Sequence, residues 1–272
     1  YTCHLCIQNE LWDGIKRDRL VWVGDMSPEM KTIKYVWGDI PQFYRALDLA
    51  AKEAKLPLWI DRIPTYSLWW LVILDEWCYY TGKREYLDEQ KAYIVELTKQ
   101  VLANIDKDGV FVGDFLDWPT KDTPPAKAGT KGLTLMCLEA AARMNYYLGE
   151  EKLAKKCESF MKRFEGQEED AGGYKQIAAF LVLNGIGNDE CFNVLKEGGA
   201  KGFSTFMSYY ILKAVASFDK AAAVAMMKEY YGKMLKKGAT TFWEDFDISW
   251  AENAGRIDKL PKKGKKDVHG DF

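Results

Sequence analysis

Between Trp12 and Met30 the chain reads WDGIKRDRLVWVGDMSPEM, which sets Asp13, Asp18 and Asp25 among Lys16, Arg17, Arg19, Trp12 and Trp22. Carboxylates accept from hydroxyl pairs, guanidinium groups donate to them, and an indole face stacks on the apolar face of a pyranose ring. The combination suits a polyhydroxylated ligand. The run begins where the helical pattern of residues 1–12 stops at Asp13-Gly14, and it ends at Ser27-Pro28-Glu29, which reads as a new helix start. It therefore lies in a connection between helices, where binding and catalytic groups concentrate. By composition alone, a connection of mixed charge is an ordinary solvated surface with weak ion pairs. Two indoles and three carboxylates in one irregular segment argue against that reading.

The elements that must position this segment are helices. The apolar spacing predicts them over residues 1–12, 28–37, 40–54, 65–81, 84–104, 131–148, 151–164, 173–183, 188–197, 205–217 and 220–236, with a short piece near 248–253. Breakers separate them: Gly82, Gly149, the stretch from Asn184 to Gly187, the pair Gly198-Gly199, and Gly238. A single extended piece is expected at 108–112, after a turn over Asp106 to Gly109. Pro119 to Gly132 is polar and rich in Pro and Gly, and is expected to be a long loop rimming a cleft. Paired helices of this length predict an all-α stack of antiparallel hairpins. No repeat of fixed period is visible, which disfavours a helical-repeat solenoid.

With 272 residues, the chain is long enough for one large core, and one domain over 1–272 is expected, as a fragment of a longer multidomain protein. It is 48% hydrophobic and 29% charged, a folded composition and not a disordered one. A net charge of −2 gives no electrostatic case for nucleic acid. The Lys-rich run KLPKKGKK, 259–266, is short and lacks interleaved aromatics, so it reads as a solvated loop. No apolar run is long enough to span a membrane, and no signal peptide is visible. Cys3 and Cys6 flank His4 like half of a zinc site, but no second pair completes it, and no metal or other cofactor is expected. The six cysteines, Cys3, Cys6, Cys78, Cys137, Cys157 and Cys191, read as buried free thiols and leave the compartment open.

The spacing Asp13, Arg17, Asp18, Leu20, Trp22, Gly24, Asp25 resembles the catalytic motif of the α-L-rhamnosidases of glycoside hydrolase family 78. A second segment, GATTFWEDFD from Gly238 to Asp247, resembles the family's Thr-x-Trp-Glu signature. GDFLDW (113–118) and FMSYYILKAV (206–215) extend the similarity over most of the chain. The resemblance implies an (α/α)6 toroid, with one or two barrel helices expected beyond Phe272, and an inverting hydrolysis of terminal α-L-rhamnosides. It implies Asp18 as general acid and Glu244 as general base. Asp13 and Asp25 become sugar-binding carboxylates, with Arg17, Trp22, Phe115, Trp118 and Trp243 around the pocket. Many members carry Glu where this chain has Asp18, one methylene shorter. The family also places a pocket His beyond the Trp-Glu signature, and His269, in DVHGDF, does not match its context. The implied partner is a rhamnose-containing glycoside, oligosaccharide or polysaccharide, in a periplasmic or secreted setting.

Inversion needs two carboxyl groups about 6.5–9.5 Å apart, one of them protonated. Crowding by Asp13 and Asp25 would favour a protonated Asp18, and Arg17 and Arg19 would oppose it. The residues alone leave other readings open: Glu244 as an exposed helix-end carboxylate, and Trp22, Trp118 and Trp243 as core. A non-catalytic sugar-binding barrel, a hydrolase of another glycoside and a helical scaffold for protein partners also stay possible. Glu29 reads simply as an acidic residue in the first turn of its helix.

Overall fold

A computed structural model of the chain describes residues 1–260, 263–266 and 268. Pro261 and Lys262 of the basic run, and His269, lie outside the described residues. Among the described residues all regular structure is helical, apart from isolated bridges such as Ile105 with Phe111. The elements are α1 (Thr2–Cys6), α2 (Met26–Val36), α3 (Pro41–Glu53), α4 (Pro64–Thr81), α5 (Glu85–Ala103), α6 (Ala126–Tyr147), α7 (Glu151–Lys162), α8 (Lys175–Leu183), α9 (Asp189–Lys196), α10 (Ser208–Phe218) and α11 (Lys220–Lys236). Short 310 turns occur at Ile60–Arg62, Trp118–Thr120 and Ile248–Ala251. No described helix is long and apolar enough to cross a membrane.

The fold groups into two compact units. The first comprises Tyr1–Leu116 and Thr130–Gln167; the second comprises Asp117–Gly129 and Glu168–Phe272. In the first, α4 is the central element. Pro64 opens it at the position where a missing N–H costs nothing, and Gly82 closes it with φ 74°. Apolar residues run all round its middle, and residues 67–74 are buried on every face, while Tyr79 and Tyr80 in the last turn are exposed. Trp69, Trp70 and Trp77 are fully enclosed. Trp77 stacks on Phe43 of α3 with centroids 4.1 Å apart, and the Trp70 indole N–H donates to the Leu47 carbonyl at 3.1 Å. An indole hides about 200 Å², which at about 25 cal/mol/Å² contributes on the order of 5 kcal/mol. These three tryptophans are thus core of the first unit.

The second unit packs α8 against α9 and α10, and α10 against α11. Asn188 caps α9 by accepting from the Cys191 N–H, and Asp219 caps α11 by accepting from Ala222. Lys175, at the start of α8, is buried, and its ammonium donates to the carbonyls of Leu195, Glu197 and Gly199. That donation satisfies the chain end of α9 from inside.

Two expected elements are corrected. The helix expected over 1–12 stops at Cys6, because Gln8 N–H turns onto the Glu10 carbonyl and Ile7 bridges Leu11. The loop expected over 119–132 ends at Pro125. There α6 begins, and Gly129 and Gly132 lie inside it, both buried. Both glycines stand in the helix despite their low helix propensity. The turn at Asp106 to Gly109 forms as expected, with Asp106 Oδ1 accepting from Asp108 and Val110. All six cysteines are free thiols, buried except for the half-buried Cys3.

Candidate functional site: a carboxylate loop ahead of α2

The segment from Asp13 to Asp25 is irregular and held at both ends. Asp13 N–H donates to the Leu20 carbonyl at 3.0 Å, and Leu20 N–H returns to Asp13 Oδ1 at 3.0 Å. Asp13 therefore closes its own loop, with one carboxylate oxygen committed to backbone. Inside the loop, Asp18 and Arg19 have φ of 51° and 54°. A left-handed conformation at two successive side-chain-bearing residues stores strain. It projects Asp18 outward, where its Oδ2 accepts from the Trp22 indole N–H at 3.3 Å.

The far end is pinned from another element. Asp61, in the 310 turn before α4, accepts the Val23 N–H on Oδ2 at 2.9 Å. Val23 is fully buried, so this carboxylate satisfies a donor that water cannot reach. Burial is the main cause that pushes the Asp61 carboxyl up to about 6; Val23 opposes it and Glu53 adds to it. Gly24 follows, and a Cβ there would lie 2.5 Å from two ring carbons of Tyr66. The glycine of the motif thus admits Tyr66 against the backbone. Trp22 meets Tyr66 edge-on with centroids 6.2 Å apart, and Tyr66 meets Phe115 at 6.2 Å. Trp22, Tyr66 and Phe115 make an aromatic row beside the carboxylates, all within the first unit.

Electrostatics single out a residue the sequence reading passed over. Glu29 lies one turn after Asp25 on α2, and its carboxyl is enclosed, with Asp25 and Asp13 in electrostatic reach. Burial first, then those two negative charges, hold it well above the usual glutamate range. Asp13 is itself raised, by burial first, with Asp18 adding and the Leu20 and Gly14 N–H groups opposing. At Glu29 the crowding by Asp25 and Asp13 adds to the larger effect of burial. The i, i+4 spacing of two acids, Asp25 and Glu29, was the available signal. Tyr66 and Asp61 had no such signal, because only the fold brings them to the loop.

The remaining sequence-predicted residues belong to the second unit, except exposed Arg17. Trp118 is exposed, with Lys121 Nζ 5.1 Å above its ring. Asp117, beside it, is buried: it caps the 310 turn through Thr120 and accepts from Ser204 Oγ at 2.7 Å. Trp243 is buried against Phe246, with centroids 5.2 Å apart, and Glu244 is exposed. Phe246 anchors their segment, its carbonyl accepting from Tyr230 Oη at 2.6 Å. No group of three or more His, Cys, Asp or Glu among the described residues is arranged to hold a metal ion.

No protein-family model matches the chain, and no curated protein does. Among solved structures, the chain is similar to the GH78 family rhamnosidase of Bacillus sp. GL1, with a TM-score of 0.75 and 19% identity. The match covers 90% of this chain and 30% of that one, so the chain spans less than a third of that protein's length. At this identity the likeness establishes the fold. That fold is all-α, built of paired helices and compatible with a helical toroid.

Proposed function

We propose that this chain carries the carbohydrate site of a glycoside hydrolase acting on terminal α-L-rhamnosides with inversion. The observation that carries the reading is the loop from Asp13 to Asp25: three carboxylates on one strained connection beside the Trp22–Tyr66–Phe115 row. The similarity of fold to a GH78 family rhamnosidase supports it. In this reading Asp18, projected by the left-handed turn, delivers the proton to the leaving oxygen, and Glu244 activates the water. Asp25 and Asp13 accept from sugar hydroxyls, while Arg17 donates to them. Trp22 and Phe115 supply apolar surface for the ring, and Trp118 and Trp243 are proposed as further substrate-binding residues.

The test is hydrolysis of an aryl α-L-rhamnoside whose aglycone needs protonation to leave. Asp18→Asn and Glu244→Gln are each expected to cut kcat by about 10²-fold or more, within the usual range for general acid–base groups. A loss under about threefold in either variant removes that residue from the mechanism. Binding of L-rhamnose without any turnover would instead identify a non-catalytic sugar-binding protein.

A further inference from the structure

The stretch EGGAKGFST, Glu197 to Thr205, carries three glycines and has no place in the roles above. Gly198, Gly199 and Gly202 have φ of 65°, 60° and 78°, and side chains rather than a helix hold this run of turns. From α8, Lys175 donates to the carbonyls of Leu195, Glu197 and Gly199, and Gln176 Nε2 donates to the Gly202 carbonyl at 3.1 Å. From α11, Glu229 Oε2 accepts the Ala200 N–H at 3.0 Å. A Cβ on Gly199 would lie 2.6 Å from that oxygen, so the glycine admits the carboxylate. The loop thus anchored meets the segment that carries Glu244 at two points. Gly202 N–H donates to Asp247 Oδ2 at 3.0 Å, while Asp247 Oδ1 takes the Ser249 N–H at 2.8 Å. Tyr230 Oη donates to the Phe246 carbonyl at 2.6 Å, and Thr205 Oγ1 lies 3.1 Å from the same hydroxyl. Tyr230 has one proton to give, so the Thr205 hydroxyl is the donor to it.

Packing follows the same path. The rings of Phe203, Tyr230, Phe246 and Trp243 succeed one another at centroid distances of 5.3, 5.4 and 5.2 Å, and all four are buried. Between the buried Trp243 and Phe246, Glu244 and Asp245 are exposed. The backbone is fixed at both rings, and Glu244 stands on the bend between them. A carboxylate that must set a water against a sugar carbon takes its precision from the backbone beneath it. We propose that Tyr230 is a positioning residue for Glu244: its hydroxyl, oriented by Thr205 of the glycine loop, fixes the Phe246 carbonyl and with it the bend that presents Glu244. Asp247, held by Gly202, is the second point of attachment. The inference deepens the glycoside reading and rests on the base role given to Glu244.

The test compares Tyr230→Phe, which keeps the ring and removes only the hydroxyl, with Glu244→Gln on an aryl α-L-rhamnoside. Tyr230→Phe is expected to lower kcat about tenfold or more with KM within about threefold, as a misplaced catalytic group does. Azide separates positioning from a damaged fold. It has no proton to remove and needs no base: its nitrogen bonds to the anomeric carbon as the bond to the leaving oxygen breaks, and Asp18 protonates that oxygen. Azide should restore aglycone release in both variants, with β-L-rhamnosyl azide as the product. Labelling with 5-fluorotryptophan adds a measure independent of turnover. The Trp243 ¹⁹F signal, assigned by its loss in Trp243→Phe, should move in Tyr230→Phe while those of Trp69, Trp70 and Trp77 stay in place. With Glu244→Gln impaired, the base role stands, and any one of three results overturns the proposal alone: a wild-type kcat in Tyr230→Phe, a loss that azide does not restore, or a Trp243 signal that does not move. An unimpaired Glu244→Gln, or no turnover of any rhamnoside, overturns the base reading and the proposal with it.

Discussion

Asp61 offers the sharpest test of how the carboxylate loop is held. It lies outside the loop, yet it supplies the acceptor for the buried Val23 N–H at 2.9 Å. Its carboxyl is pushed up to about 6 from the usual 3.8, chiefly by burial. Between those two values the folded chain keeps a proton that the unfolded chain has released. The stability contribution is therefore complete below about pH 4 and is lost as pH rises towards 6. The interval from 3.8 to about 6 is worth about 3 kcal/mol at 1.36 kcal/mol per pH unit, as a ceiling. Asp61→Asn retains an oxygen for Val23 and suits the positive φ of 53°. It should match wild type at pH 4 and exceed it by about 1–3 kcal/mol at pH 7. Asp61→Ala removes the acceptor and should cost about 1–3 kcal/mol relative to the Asn variant, the penalty for an unsatisfied buried N–H. Urea unfolding at four pH values, followed by tryptophan emission, measures all three proteins. If Asp61→Asn is less stable than wild type at pH 7, the carboxylate is stabilised by its surroundings and the burial argument is wrong. If the Ala and Asn variants are equal, Val23 does not depend on Asp61.

Gly24→Ala drives a Cβ into the Tyr66 ring at 2.5 Å and should cost about 1–3 kcal/mol, as overpacking does, with a shift in Trp22 emission; an unchanged unfolding midpoint would mean that the aromatic row yields freely. Lys175→Met leaves the carbonyls of Leu195, Glu197 and Gly199 without their shared donor. A loss of about 1–3 kcal/mol by chemical denaturation is expected, and a neutral result would show that water replaces the ammonium. Asp117→Ala removes the cap of the 310 turn and the acceptor for Ser204 Oγ. It should lower stability by about 2 kcal/mol or more, and Asp117→Asn should recover most of that; equal losses in both variants would show that the charge matters and not the bonding pattern.

The helices were legible because each carries its own signals. Pro64 and Gly82 bracket α4, and Asn188 and Asp219 stand where caps are needed, so local chemistry alone marks the ends. The misreadings have local causes too. Apolar residues at Ile7 and Leu11 fit a helical period, but a tight turn at Gln8 to Glu10 brings them opposite each other instead. The glycines at 129 and 132 resemble a loop until their burial inside α6 is seen. In the candidate site, the carboxylates and Trp22 are adjacent in sequence and therefore visible. Tyr66 and Asp61 reach the loop only through the packing of α4 and the turn before it, and no spacing encodes that. Glu29 was visible as an acid in the first turn of α2, but its raised carboxyl comes from burial, which no spacing encodes. Asp117 is the opposite case, an acid beside the exposed Trp118 that serves to cap a turn.

The most direct test of the central claim is the anomeric form of the first sugar released. An aryl α-L-rhamnoside is mixed with the protein, and the proton NMR spectrum of the nascent product is recorded before mutarotation. The account predicts β-L-rhamnose first, because a water activated by Glu244 attacks the face opposite the bond that Asp18 protonates. Appearance of α-L-rhamnose first would require a nucleophilic carboxylate about 5–5.5 Å from the acid, and would contradict the roles given to Asp18 and Glu244. No release from any rhamnoside would contradict the substrate itself.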